Sequence, residues 1–160
     1  MYNVYINSGK STLTMSIKYS ISGRCRNEKV VDIYVCNLLK ALKINRLSTK
    51  NIDIEFKSKL DGSAQGFCIG DKSQVVVQIA KRSSGQNMSF LTQMQTLAHE
   101  LTHAKQFLRG ELGYDEDGDF TWKNKSASGY KYKNQPWEKE ADKQEKALFL
   151  ECFPFHIDIR

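Results

Sequence analysis

The chain has 160 residues, 40% hydrophobic and 26% charged, with a net charge of +6, which suits one domain over residues 1–160 with a core that needs no disulfide or metal staple. No window is apolar enough to cross a bilayer, and the start MYNVYINSGKSTLTMSIKYS lacks the basic region and apolar run of a signal peptide. The four cysteines, Cys25, Cys36, Cys68 and Cys152, make neither a CxxC pair nor a framework spacing, so the composition excludes a disulfide scaffold and a membrane span and predicts a soluble cytoplasmic protein with reduced, mostly buried thiols.

The charge is uneven. Residues 1–60 hold 11 lysines and arginines against 4 acids, and residues 61–160 hold 13 against 14. The basic half reads first as a solvated face that aids solubility, and second as a surface for nucleic acid. No basic motif interleaved with aromatics, of the kind that stacks single strands, is present.

Residues 2–6 and 12–21 alternate polar and apolar around the turn-forming Asn7-Ser8-Gly9-Lys10, which predicts a starting hairpin. From Glu28 to Leu42, Val30, Val31, Tyr34, Val35, Leu38, Leu39 and Leu42 recur at helical spacing and predict an amphipathic helix backing a sheet. Strands are expected at 52–57, 64–69 and 74–80, the last carrying Val75, Val76, Val77 and Ile79. A Ser- and Gly-containing loop at 83–89 leads into a second helix with a broad apolar stripe. Residues 110–135 are polar and aperiodic, long enough to suggest a loop that shapes a site. Pro136 suits the first turn of a last helix that runs to about Cys152, before Pro154 stops it.

The second helix carries His99-Glu100-Leu101-Thr102-His103. Histidines four apart project from one helical face, so both imidazoles can reach one zinc ion while the adjacent glutamate can touch a water on it. Catalytic zinc takes a third protein ligand. His156 is the one histidine left, whereas Pro136-Trp137-Glu138-Lys139-Glu140-Ala141-Asp142 opens the last helix with two carboxylates. Glu138 shares a helical face with Ala141, Asp142, Glu145 and Leu148, and Glu140 points about 200° away, toward Lys143 and Gln144, so Glu138 is the better ligand. Asp142, one turn on, can accept the free ring N–H of a ligand histidine.

HExxH followed by a helix bearing Glu-x-x-Ala-Asp resembles the gluzincins, the thermolysin-type zinc peptidases, and the short chain resembles their minimal form, the minigluzincins. The resemblance spans residues 74–152. It implies one Zn²⁺ per chain on His99, His103 and Glu138, Glu100 as the general base, and Asp142 orienting a ligand histidine. It also implies a strand before the motif helix that holds extended substrate, so peptide or protein substrate is expected to pair with residues 74–80. The expected fold is α+β: a small zincin-like domain with a twisted, mostly antiparallel sheet, a backing helix, the HExxH helix and a C-terminal helix supplying the glutamate ligand. The expected activity is that of an intracellular zinc metalloprotease, an endopeptidase rather than an exopeptidase, with Glu100 taking the proton of the attacking water and passing it to the leaving amine.

Two departures stand out. Thermolysin-like enzymes carry a transition-state histidine far downstream, where this chain has only His156; Tyr114, Tyr130, Tyr132 and His156 are the candidates for stabilising the oxyanion. SprT-like proteases share HExxH and basic character but use a third histidine, the reading in which His156 matters and DNA steers the enzyme. A catalytically idle zinc-binding interaction module is the rival from outside enzymology, and a zinc hydrolase of a non-peptide amide is a third possibility. Trp122 and Trp137 read as packing residues. Gly9-Lys10-Ser11-Thr12 lacks the first glycine of a P-loop, and Asp115-Glu116-Asp117-Gly118-Asp119 lacks the distal glutamate of an EF-hand loop, so neither predicts a ligand.

Overall fold

The computed structural model describes residues 15–157. The elements run β1 (Lys18–Ser22), α1 (Glu28–Ala41), β2 (Asn51–Lys57), β3 (Gly66–Gly70), β4 (Gln74–Ala80), β5 (Arg82–Ser83), β6 (Gln86–Asn87), α2 (Phe90–Leu108), β7 (Leu112–Tyr114), β8 (Phe120–Trp122), β9 (Lys125–Ser126) and α3 (Pro136–Cys152). The fold is mixed α+β, with three helices and a mixed four-stranded sheet ordered β1-β2-β4-β3.

The sheet is not mostly antiparallel. β1 pairs parallel with β2, and β2 parallel with β4; only β3 and β4 are antiparallel. The physical reason lies in the connections. A parallel pair needs a long crossover, which α1 supplies between β1 and β2, whereas the short Asp71-centred turn between β3 and β4 can only reverse the chain. Asp71 Oδ1 accepts from the backbone N–H groups of Ser73 (2.7 Å) and Gln74 (3.0 Å) to close that turn. Residues 2–6 of the expected hairpin lie outside the described residues, as does the Gly9-Lys10-Ser11-Thr12 stretch.

Only one sheet face is buried. Tyr19, Ile21, Ile52, Ile54, Phe56, Val75, Val77 and Ile79 point into the core. The alternate positions carry polar pairs: Ser20 to Asp53 at 2.7 Å, Gln74 to Asp53 at 3.2 Å and Gln78 to Glu55 at 2.8 Å. All three helices contribute to the core against that apolar face. α1 starts at the Asn27 cap, whose side chain accepts from Val30 N, and buries its predicted stripe. Tyr34 is its hub: the ring meets Phe149 and Phe153 of the α3 end edge-on, and the hydroxyl donates to Met94 O of α2 at 2.9 Å. Asn37 Nδ2 donates to Cys152 O at 2.9 Å and so caps the α3 C-terminus.

The sheet order corrects the expected substrate strand. β4 hydrogen-bonds β2 on one side and β3 on the other, so its backbone groups are spent and it cannot take a peptide. β3 is the edge strand nearest α2, with Phe67 and Ile69 exposed on its outer side.

Residues 110–135 are not a bare loop either. β7, β8 and β9 form a small antiparallel sheet, and Phe120, Trp122 and Tyr130 surround Trp137 at centroid distances of 5.3, 6.0 and 6.4 Å. Aromatic residues spaced through polar sequence leave no period to read, yet they tie the segment to the first turn of α3. The acidic run forms the β7–β8 turn, where Asp115 Oδ1 accepts from Asp117 N and Asp119 N. Residues 83–89 include all of the short β5–β6 hairpin but Arg82. The four cysteines are free, and none of the described helices is long and apolar enough to cross a membrane.

Tyr34→Phe is expected to cost about 1–2 kcal/mol, because it removes one buried hydrogen bond while keeping the ring; urea denaturation measures it.

Candidate metal centre

α2 is nucleated by Ser89, whose hydroxyl accepts from Thr92 N at 3.1 Å, and its apolar stripe beds it against β3 and β4. His99 and His103 fall one turn apart on its flank, facing α3. Their Nε2 atoms are 3.2 Å apart. Glu138, in the first turn of α3, puts Oε2 3.3 Å from His99 Nε2 and Oε1 3.3 Å from His103 Nε2. Three donor groups therefore converge on one point.

Tetrahedral zinc with ligands at about 2.0–2.1 Å has neighbouring donor atoms about 3.3 Å apart, the spacing found here. The donor chemistry fits as well. Two nitrogen lone pairs and a carboxylate aimed at one locus repel unless a proton or a cation lies between them. Two histidines with one carboxylate and room for a water is a donor set that zinc favours. A second group able to hold a cation, His99, Asp142 and Glu145, uses the other nitrogen of the same imidazole.

Burial works against protonation of His99, but its bond to Glu138 and the charges of Glu100, Glu138 and Glu145 outweigh it and raise its pKa to about 9. His103 is raised for the same reason, its burial being overcome chiefly by Glu138. Burial would lift Glu138, yet the two histidines hold it well below the usual carboxylate range. Glu100 is the opposite case: only 7% exposed, it is raised by burial to about 7, with His103 and His99 pulling it down and Glu138 and Glu145 pushing it up. Three groups on α2 and one on α3 thus shift one another's pKa.

β3 closes over this helix turn at Gly66. A Cβ there would lie 2.6 Å from Glu100 Oε1 and 2.7 Å from Thr96 Cγ2, so only glycine lets the strand pass so close to the carboxylate. Nothing in the sequence marks Gly66 as different from other strand glycines. Cys68, two residues on, is lifted well above the ordinary thiol range by burial and then by the charges of Glu100 and Glu138, and stays a neutral thiol.

The ring nitrogens facing away from the locus have partners. His99 Nδ1 lies 3.4 Å from Asp142 Oδ1 and 3.2 Å from Glu145 Oε2, and the side chains of these two acids are 71% and 32% exposed. Glu145 is the nearer and the better shielded of the two, so Asp142 shares the expected contact. His103 Nδ1 lies 2.8 Å from Gln106 Oε1. The sequence does not mark Gln106, because polar residues on a helix usually face water, and only the arrival of α3 buries this one. Glu140 points away from the locus, as its helical angle predicts, and pairs with Lys105 at 2.8 Å.

Of the four oxyanion candidates, Tyr132 alone reaches the centre among the described residues: its hydroxyl donates to Glu138 Oε2 at 3.1 Å. Burial and the neighbouring Glu138 raise it to about 12. Tyr114 stacks between Phe107 and Phe120, and Tyr130 stands edge-on to Trp137. His156 is exposed beyond the far end of α3, past Cys152 and about 21 Å of helix from Glu138, so it is neither third ligand nor oxyanion donor.

Comparison of the chain with models of known protein families, with curated proteins and with solved structures returns no match.

The pKa directions give a sign for stability. His99 is raised above its ordinary 6.5, so its contribution is complete below that and is lost as pH climbs through about 9. Glu100, raised to about 7, adds a cost as it ionises between its ordinary 4.5 and that value. Glu138, depressed, loses its contribution only at strongly acid pH. In chelator the urea midpoint is expected to fall steadily from pH 5 to pH 9; a midpoint flat over that range would show that His99 and Glu100 are not raised in this way.

Proposed function

We propose that the protein is a zinc-dependent peptidase that uses His99, His103 and Glu138 as ligands and Glu100 as general base. The observation that carries the reading is the convergence of the two Nε2 atoms and the Glu138 carboxylate at 3.2–3.3 Å, beside a buried carboxylate poised near neutrality. This is the arrangement that the resemblance to gluzincins implies. Zinc held there would supply Lewis acidity and would lower the pKa of a water to about 7.

Glu100, buried beside the locus, is the carboxylate placed to take a proton from that water and pass it to the leaving amine. Its burial against Gly66 excludes solvent from one side and keeps its position from drifting. Glu138 and the two histidines spend their charge on each other and the cation, which leaves Glu100 as the one carboxylate near the locus free to exchange protons.

The free edge of β3 supplies the backbone donors and acceptors that an extended peptide needs, and it passes directly over Glu100 at Gly66. Phe67 and Ile69 offer apolar contact along the same strand. Substrate is therefore an internal stretch of unfolded or extended polypeptide rather than a chain end. Tyr132, whose hydroxyl donates to Glu138, is the phenol placed to turn to the carbonyl oxygen of a scissile peptide.

Elemental analysis and cleavage of an unstructured protein test the reading together. Wild type is expected to carry about one zinc per chain; Glu138→Ala should lose it, and Glu100→Gln should keep it while cleavage falls by about 10³-fold. Full zinc without cleavage of any substrate would favour the idle interaction module, and a chain that takes up no zinc when supplied with it would end both readings. Tyr132→Phe is expected to lower kcat by about 10²-fold with KM little changed, measured on the same substrate; unaltered kcat would remove Tyr132 from the chemistry.

A further inference from the structure

Gln106 is fully buried, which is unusual for a glutamine and calls for complete hydrogen bonding. Its Nε2 lies 3.1 Å from Trp137 O and 2.9 Å from Glu140 Oε2. A backbone carbonyl and an ionised carboxylate can only accept, so the NH₂ end of the amide must face them, and both of its hydrogens are spent. The flipped amide would set its oxygen against two other oxygens. Oε1 is thereby turned toward His103 Nδ1, 2.8 Å away, where an oxygen can only accept. Nδ1 must then carry a hydrogen.

We infer that Gln106 is the positioning residue for His103: it holds the imidazole as the Nδ1–H form with the Nε2 lone pair aimed at the metal locus, and the first turn of α3 sets it in that role through Trp137 O and Glu140. The inference deepens the reading of His103 as a zinc ligand and rests on it.

Glu140 is itself held. Lys105 Nζ pairs with Oε1 at 2.8 Å, leaving Oε2 for the Gln106 amide. A chain of contacts thus runs from Lys105 through Glu140 and Gln106 to His103, passing from α2 to α3 and back. The two ligand histidines are backed differently. His99 Nδ1 meets two acids, Asp142 and Glu145, and His103 Nδ1 meets a neutral amide. The neutral partner orients His103 without adding a third acid to a pocket that already holds Glu100 and Glu138. It also gives Glu140 a use that its direction away from the metal conceals: it does not bind the ion but determines which way the amide of Gln106 lies.

Zinc itself is the probe. Affinity is measured by competition with a chromophoric chelator, and the His103 Nδ1–H proton is followed by NMR in ¹⁵N-labelled, zinc-loaded protein. Gln106→Leu is expected to weaken zinc binding by about 10- to 100-fold and to speed exchange of the Nδ1–H proton with water. Glu140→Leu, at a partly exposed site, should do the same to a smaller degree by freeing the amide to rotate, and Glu140→Gln, which keeps an acceptor oxygen, should lose less than Glu140→Leu. Should Gln106→Leu not fold, Glu140→Leu carries the test alone. Folded variants with wild-type zinc affinity and an unmoved Nδ1–H signal would overturn the inference and leave the peptidase reading standing. Zinc-loaded wild type that cleaves nothing, with the variants weakened as expected, would do the reverse, and wild type that binds no zinc overturns both.

Discussion

Two imidazoles one helical turn apart can hold a cation only when a third donor comes within about 3 Å of both, and here that donor travels on a different helix. The packing of α3 against α2 is therefore the constraint on which the centre rests. It is secured at two levels. Near the centre, Trp137 sits buried among Phe120, Trp122 and Tyr130, which fixes the rotation and height of the first α3 turn. At the other end, Tyr34 and Asn37 of α1 grip Met94 of α2 and the last carbonyls of α3, so the two helices cannot slide past one another. Apolar burial supplies the force, and a few directed hydrogen bonds supply the register.

Electrostatics at the centre follow from that placement. Glu138 faces two ring nitrogens and ionises readily, while Glu100, on the other helix, is buried against a strand and resists ionisation. The two carboxylates titrate differently because one faces two imidazoles and the other is buried against β3 at Gly66. Gly66 makes the second environment possible by omitting the one atom that would force the strand off Glu100.

Part of the basic surplus of the first 60 residues has a structural use. Lys50 Nζ donates to Leu108 O at 2.7 Å and to Lys72 O, which places a cation at the C-terminus of α2 where the helix dipole favours it. From outside those 60 residues, Arg109 donates to Lys43 O, tying the same helix end to the turn after α1. These side chains hold the motif helix from behind, and a charge count cannot separate them from a surface awaiting an anionic partner.

Local rules in the sequence were enough for the helices and the motif. The stripe from Val30 to Leu39, the common face of His99 and His103, and the choice of Glu138 over Glu140 depend on a period of 3.6 residues, and the start at Pro136 on proline's fit to a first helical turn, all of which each segment carries by itself. β5 to β9 lie in segments that read as loops, and only the strands of the four-stranded sheet were legible, from their own alternation and β-branched residues. Pairing was not: whether β1 runs parallel to β2, and which strand is left at the edge, depends on residues distant in the chain, so the mostly antiparallel sheet and the peptide on β4 were natural readings that only the tertiary arrangement could correct. The supports of the centre were hidden likewise. Gln106, Glu145 and Gly66 are ordinary polar or small residues until α3 and β3 are laid against α2, because their meaning lies in what they touch and not in the segment they belong to.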